Sequence, residues 1–342
     1  MITFLKKGSG RFIMMIFSIL IIAIVFYQLI VREISIPSSK LFESLKVINK
    51  CTHNNHETLD PSVEMASTGV ARTVHQIWRT ADIRTYSTEL EASHDFWKTM
   101  FSPLNYTVKL WTDDDVLQLL RANYAWLLST YEDYPQNIQR ADLARLVVVH
   151  AEGGIYADLD VYPRDATQIQ CLQHLRLQAI FAPTAGTLGL SNHFFMAERG
   201  SSFLQWALCE AKRRGAAKSR RMLPPYLQVF WTTGPIMVTA ALREYAWLYS
   251  TQRQIIGLLD EAYGRAVIQH AAGRSWHRQD GRVLNYVADH VRNTVLMVVL
   301  ILITISALLY VGRNCASINR EHPASRRIMD ARPGHETMIK AH

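Results

Sequence analysis

Cysteine is scarce in this chain: four in 342 residues, none at the paired spacing of a zinc site. That excludes a zinc ribbon or finger and a dense disulfide framework. Among Cys51, Cys171 and Cys209 at most one disulfide can form, leaving one thiol over; Cys315 is either an inert thiol or a site of reversible acylation. Internal repeats and low-complexity tracts are also missing, which excludes a solenoid or propeller array. The net charge of +8 comes partly from basic residues beside two apolar runs, so it requires no nucleic-acid partner.

Those two runs are the first thing present in quantity. Residues 12–31 are uncharged and lie between Lys6, Lys7, Arg11 and Arg32; residues 294–312 lie between Arg292 and Arg313. Each is about the ~20 residues that a helix needs to cross a bilayer. The first also fits a cleaved signal peptide, but its apolar core is too long and no small-residue cleavage site follows. The second also fits a buried core helix, but it is apolar all round and precedes a basic tail. The positive-inside rule puts both termini in the cytoplasm and residues 32–293 across the membrane. The expected organisation is a cytoplasmic N-terminus (1–11), a transmembrane helix (12–31), a luminal stem (32–71), a catalytic domain (72–293), a transmembrane helix (294–312) and a cytoplasmic basic tail (313–342). The sequon at Asn105 is compatible with a luminal glycoprotein.

Within the luminal region, Thr73–Trp78 and Tyr106–Trp111 alternate like strands. Asp113, Asp114 and Asp115 then provide helix-start chemistry for Val116–Leu120; three consecutive side chains splay too widely to form a metal cluster. A further helix, from about Ile138 to Glu152, ends at Gly153-Gly154. Strands alternating with helices predict an α/β layer fold with ligands at the carboxyl ends of the strands.

The chemistry concentrates in Gly153-Gly154-Ile155-Tyr156-Ala157-Asp158-Leu159-Asp160. On a strand, residues i and i+2 share a face, so Asp158 and Asp160 would converge on one ligand. Two close carboxylates repel unless a cation lies between them, and hard oxygens suit Mg²⁺ or Mn²⁺ with a nucleotide diphosphate. An Asp-x-Asp also arises in ordinary turns and acidic faces. Upstream, Asp142 and Arg145 sit i, i+3 on one helix face. That spacing reads as an intrahelical ion pair, or as a carboxylate for sugar hydroxyls beside a guanidinium for phosphate. Ser191-Asn192-His193, the turn Thr232-Thr233-Gly234-Pro235 and the polar, aromatic segment from His270 to Asp280 complete the set.

His75-Gln76-Ile77-Trp78, Leu110-Trp111-Thr112-Asp113, Arg140-Ala141-Asp142-Leu143-Ala144-Arg145 and the Gly153–Asp160 segment occur in the order and spacing of the DXD-containing sugar-binding glycosyltransferases. The chain resembles the fungal mannosyltransferases of glycosyltransferase family 32 over roughly residues 72–285, and more distantly the clostridial glucosylating toxins. A second apolar run after Gly-x-Ser-Trp-His resembles the inositol phosphorylceramide mannosyltransferases. The resemblance implies a GT-A (Rossmann-like) luminal domain between N- and C-terminal transmembrane helices, in the Golgi membrane. It implies GDP-mannose as donor, Mn²⁺ (or Mg²⁺), retention at the anomeric carbon, inositol phosphorylceramide as membrane lipid acceptor, and a multispanning regulatory subunit as partner. Asp160 would be the firmest metal ligand, Asp158 would contact the metal or the ribose, and His270 rather than His277 would be the third ligand, the other contacting the diphosphate. Trp78 would border the base, Asp142 and Arg145 would hold the donor sugar, and Asn192 would touch donor or acceptor sugar. Trp276 would close the site against water. A front-face departure needs no protein nucleophile, and none is assigned. The alternatives are a mannosyltransferase acting on protein-linked glycans and a non-catalytic membrane subunit.

Overall fold

The computed structural model describes residues 45–52, 69–83, 87–184, 189–215, 224–249 and 256–271, and singly Gln279, Arg282, Tyr286, Ile301, Thr304 and Ile305. The chain divides into two compact units, Met1–Arg278 and Gln279–His342, so the division falls before residue 293. The described residues of the second unit are helical and exposed. No helix among the described residues is long and apolar enough to cross a membrane. Residues 12–31 lie outside the described ones, as do most of 294–312.

The first unit is built on a seven-stranded sheet. Its strands are β1 (Leu45–Ile48), β2 (Thr73–Ile77), β3 (Thr107–Trp111), β4 (Gly154–Ala157), β6 (Ala179–Pro183), β7 (Leu190–Ala197) and β8 (Ile256–Leu259). Their spatial order is β1-β8-β6-β7-β4-β2-β3. Every pairing is parallel except those of β7, which runs antiparallel to both β6 and β4. A separate two-stranded ribbon joins β5 (Val161–Pro163) to β9 (Ile268–His270).

Strand alternation assigns the two faces of the sheet. Tyr156, Phe181 and Phe195 point to one side, into a core shared with α2 (Asp113–Asn123), α3 (Ala125–Asp133), α4 (Asn137–Glu152), α6 (Ser202–Arg214) and α8 (Pro235–Leu248). Their neighbours Ile155, Ala157, Ile180, Phe194 and Met196 point to the other side. There they meet α1 (Thr88–Phe101), α5 (Ala166–His174) and α9 (Glu261–Val267). Sheet between helix layers is the arrangement expected for strands apolar on both faces. The Asp triplet starts α2 as a capping box: Thr112 Oγ1 accepts from Asp115 N, and an Asp115 carboxylate oxygen accepts from Thr112 N.

Two expectations need correction. Residues 45–52 are not stem: the short run Leu45–Ile48 pairs in parallel with Ile256–Leu259 at the sheet edge, and Cys51 is disulfide-bonded to Cys171. Cys209 is the exposed thiol left over. Nor do Asp158 and Asp160 share a strand face. Asp158-Leu159-Asp160 is a turn between β4 and β5, closed by Val161 N–H donating to Asp158 O at 2.9 Å.

The strand enters that turn through Gly153 and Gly154, with φ of +68° and +113°. A Cβ on Gly154 would lie 2.5 Å from the Thr73 carbonyl, so both space and backbone angle demand glycine there. The disulfide closes a loop of 120 residues between the sheet edge and α5. Cys51→Ser is therefore expected to lower unfolding stability by about 2–5 kcal/mol under oxidising conditions, with no difference from wild type under full reduction. Denaturant titration with and without reductant checks this.

Candidate donor-sugar and metal site

The carboxyl ends of the parallel strands β2 and β4 meet beside the amino half of α4, and the candidate residues gather there. Arg145, on α4, is buried with its side chain 10% exposed. Its Nε lies 3.0 Å from Asp158 Oδ1 and donates at 3.3 Å to the Tyr156 hydroxyl. Its Nη1 pairs with Asp142 Oδ1 one turn back. Tyr156 in turn donates to Asp158 Oδ1 at 2.7 Å. Tyr156 and Asp158 are two residues apart on the same side of the chain, which aims both at α4.

Asp142 is held from two more directions. Asn192 Nδ2 donates to its Oδ1 at 3.1 Å, and Thr233 Oγ1 donates to its Oδ2 at 3.0 Å. Thr233 caps α7 (Pro225–Thr232), just before α8 begins. Asn192 lies where the β6–β7 register shifts between Phe181 and Ala182, a step that leaves residues 192–194 without a partner on β6. Such irregularities beside sites commonly re-aim a side chain.

The electrostatics follow from burial. Desolvation pushes the Asp158 carboxyl up to about 6, with the Arg145 charge opposing and Asp160 reinforcing the rise. Burial likewise raises Asp142 against the pull of Arg145 and its hydrogen-bond donors. Burial works against the Arg145 charge, but Asp158, Tyr156 and Asp142 outweigh it and hold the guanidinium charged. Both contacts to Asp158 fall on Oδ1, and its side chain is 19% exposed, which leaves Oδ2 to face a ligand.

Asp160 points elsewhere. Its Oδ2 lies 3.3 Å from His270 Nε2, and its carbonyl accepts from Ala271 N at 2.8 Å. The ribbon pairing Val161↔His270 makes this meeting across the long sequence gap. His270 stacks on His193, centroids 4.4 Å apart and rings 9° from parallel. Burial lowers His193 to about 3, with His270 adding to the effect, so the ring under His270 is neutral. Burial disfavours charge on His270, yet its bond to Asp160 and the nearby carboxylates raise its pKa overall.

Among the described residues no group of three or more His, Cys, Asp or Glu is placed to hold a metal by itself. Asp158, Asp160 and His270 therefore do not form a protein cage. The Asp160–His270 pair still fits a divalent cation that takes its remaining ligands from a diphosphate and water, as Mg²⁺ and Mn²⁺ do at phosphate sites. Trp78 sits half-buried just past β2, the parallel neighbour of β4. Trp276 and His277 lie outside the described residues. Tyr156, Thr233 and His193 lie in segments that the sequence brings forward, but no role is assigned to any of them there. Tyr156 carries the clearest signal, its i−2 position before Asp158.

Comparison with known proteins agrees with these motifs. Residues 87–176 match the family model described as "Glycosyltransferase sugar-binding region containing DXD motif". The chain is similar to inositol phosphoceramide mannosyltransferase 1 of Schizosaccharomyces pombe, 25% identical over 64% of this chain and 66% of the relative. It is also similar to mannosyl phosphorylinositol ceramide synthase SUR1 of Saccharomyces cerevisiae, 25% identical over 70% of this chain and 60% of the relative. The match thus spans less than two thirds of those relatives' lengths. Among solved structures, the PaToxG glycosyltransferase matches at 15% identity and a TM-score of 0.39, over 56% of this chain and 76% of that one. The resemblance to the DXD sugar-binding glycosyltransferases, and among them to the fungal inositol phosphoceramide mannosyltransferases, holds across the family model and the curated relatives.

Removing one partner from a buried ion network leaves uncompensated charge. Arg145→Met is expected to cost about 3–5 kcal/mol of stability, and Thr233→Val about 1–3 kcal/mol. Equal denaturation midpoints for wild type and R145M would contradict this network.

Proposed function

We propose that this chain is a retaining mannosyltransferase that moves mannose from GDP-mannose to inositol phosphoceramide. The observation that carries the reading is the division of labour between the two aspartates. Asp158 is held by Arg145 and Tyr156 through one oxygen, which leaves the other for a ligand; Asp160 sits partly exposed beside His270. A glycosyl transfer from a nucleotide sugar needs both parts: an acceptor of sugar hydroxyl bonds that cannot swing away, and a hard-ligand pair at the diphosphate.

In this reading Asp158 Oδ2 accepts a hydrogen bond from a hydroxyl of the donor sugar. Arg145 fixes that carboxylate, and Asp142, Asn192 and Thr233 fix Arg145 from behind. Asp142 is too enclosed, at 4% side-chain exposure, to reach the sugar in this conformation. It therefore works through Arg145. Asp160 and His270 would hold Mn²⁺ or Mg²⁺ against the diphosphate. A bound ion there supplies Lewis-acid stabilisation of the charge on the departing nucleotide. Trp78 borders the base at the end of β2.

Support for the mannose donor and the lipid acceptor comes from the similarity to relatives named for that reaction. A GT-A fold accords with a mostly parallel sheet whose chemistry sits at its strand ends. The Golgi membrane as location, luminal catalysis between two membrane anchors, closure by Trp276, a diphosphate contact from His277 and a multispanning regulatory partner belong to the same proposal. A lipid acceptor suits a domain tethered near the bilayer, because its headgroup cannot diffuse to the enzyme.

The test is product formation by the full chain with GDP-mannose, Mn²⁺ and inositol phosphoceramide. Asp160→Ala is expected to lower turnover by about 100-fold or more, since metal assistance supplies several kcal/mol and each 1.36 kcal/mol is tenfold. Equal activity of the variant would refute the metal role of Asp160. Mannose transferred to protein-linked glycans and not to the lipid would favour the rival acceptor.

A further inference from the structure

His270 ends a strand of only three residues, and its side chain is 39% exposed. A ring so placed has several staggered rotamers open to it, and holding one of them costs conformational freedom. The backbone pairing of Val161 with His270 brings the histidine to Asp160 but does not set the plane of the imidazole. The residue that meets the face of that ring is His193, with centroids 4.4 Å apart and planes within 9° of parallel.

His193 is a firmer support than the ring it carries. It is half-buried, and its Nδ1 pairs with the hydroxyl of the buried Ser191. Its carbonyl accepts from Asp158 N at 2.9 Å, which ties its backbone to the turn that holds both aspartates. Successive residues of an extended chain point to opposite sides. Here Asn192 turns to the buried Asp142, and His193 turns to the exposed His270.

The chemistry of the two rings is complementary. Burial keeps His193 neutral, so its face is attractive to a ring made positive by a proton or polarised by a bound ion. Two charged rings in the same place would repel. Asp160 Oδ2 and His270 Nε2 already stand 3.3 Å apart. Neighbouring ligands on an octahedral ion, each about 2.1 Å from it, stand about 3 Å apart. Packing alone would explain two stacked rings in a core. It does not explain an exposed ring laid flat on a half-buried one with its free nitrogen at a carboxylate.

We infer that His193 is a positioning residue for the metal pair: its ring is the platform that sets the plane of His270, so that His270 Nε2 and Asp160 Oδ2 face the same divalent ion. The inference rests on the metal role proposed above for those two residues. It assigns to β7 a second task beside the support that Asn192 gives to Asp142.

Calorimetric titration of the full chain with GDP, with and without Mn²⁺, tests this on two variants set side by side. His193→Asn keeps a polar group for Ser191 and removes the ring; His193→Phe keeps the ring and removes the polar group. His193→Asn is expected to lose about fivefold of the Mn²⁺-dependent gain in GDP affinity, and His193→Phe to keep that gain within about twofold. GDP affinity without Mn²⁺ is expected to match wild type in both, whereas a merely structural role would weaken it with and without the ion alike. A full Mn²⁺-dependent gain in His193→Asn, or an equal loss in both variants, overturns the inference and spares the metal site. A wild type whose GDP affinity does not respond to Mn²⁺ overturns the metal role and the inference with it.

Discussion

One buried guanidinium organises this site. Burying an arginine is costly unless carboxylates and hydrogen bonds surround it, and Arg145 has Asp142 on one side and Asp158 on the other. Asp142 is kept in position by Asn192 from β7 and Thr233 from the α7–α8 junction. Three stretches of chain are therefore tied to α4 through the Asp142–Arg145 pair. The consequence reaches the candidate site: Asp158 is immobilised through Oδ1, which leaves its other oxygen for a ligand. A pre-set acceptor of this kind loses little conformational freedom when a sugar binds, which is where preorganised sites gain their advantage.

The second constraint is backbone geometry. Gly153 and Gly154 adopt positive φ so that α4 can hand the chain directly to β4 without a linker. Tight coupling brings the helix residues Asp142 and Arg145 level with the end of the strand that follows them. The turn after β4 is fixed from the other side by α1, where Ser93 Oγ and Trp97 Nε1 both donate to the Val161 carbonyl at 2.8 Å. The two aspartates are thereby held in different directions, one toward the helix layer and one toward the β5–β9 ribbon.

Local pattern made much of the fold legible. The alternation in Thr73–Trp78 and Tyr106–Trp111 places β2 and β3 within a residue, and Thr112 followed by three aspartates announces the start of α2. The i, i+3 spacing of Asp142 and Arg145 correctly places them on one helix face. What local pattern could not convey is register. Asn192 meets Asp142 from the irregular part of β7, and His270 meets Asp160 through the pairing of β9 with β5. Strand periodicity also misplaced Asp158 and Asp160, since it assumes extended backbone where Val161 closes a turn. The edge strand Leu45–Ile48 went unread because four residues with an exposed middle give too little periodicity to stand out from a polar stretch.

The central claim is that Asp160, on the rim opposite the locked Asp158, anchors a divalent ion and with it the donor diphosphate. Calorimetric titration of the full chain with GDP, with and without Mn²⁺, tests it without depending on the acceptor. The account predicts that Mn²⁺ tightens GDP binding to the wild type by at least about tenfold, or 1.4 kcal/mol, and that Asp160→Ala abolishes this gain. The same Mn²⁺-dependent gain in the variant would contradict it.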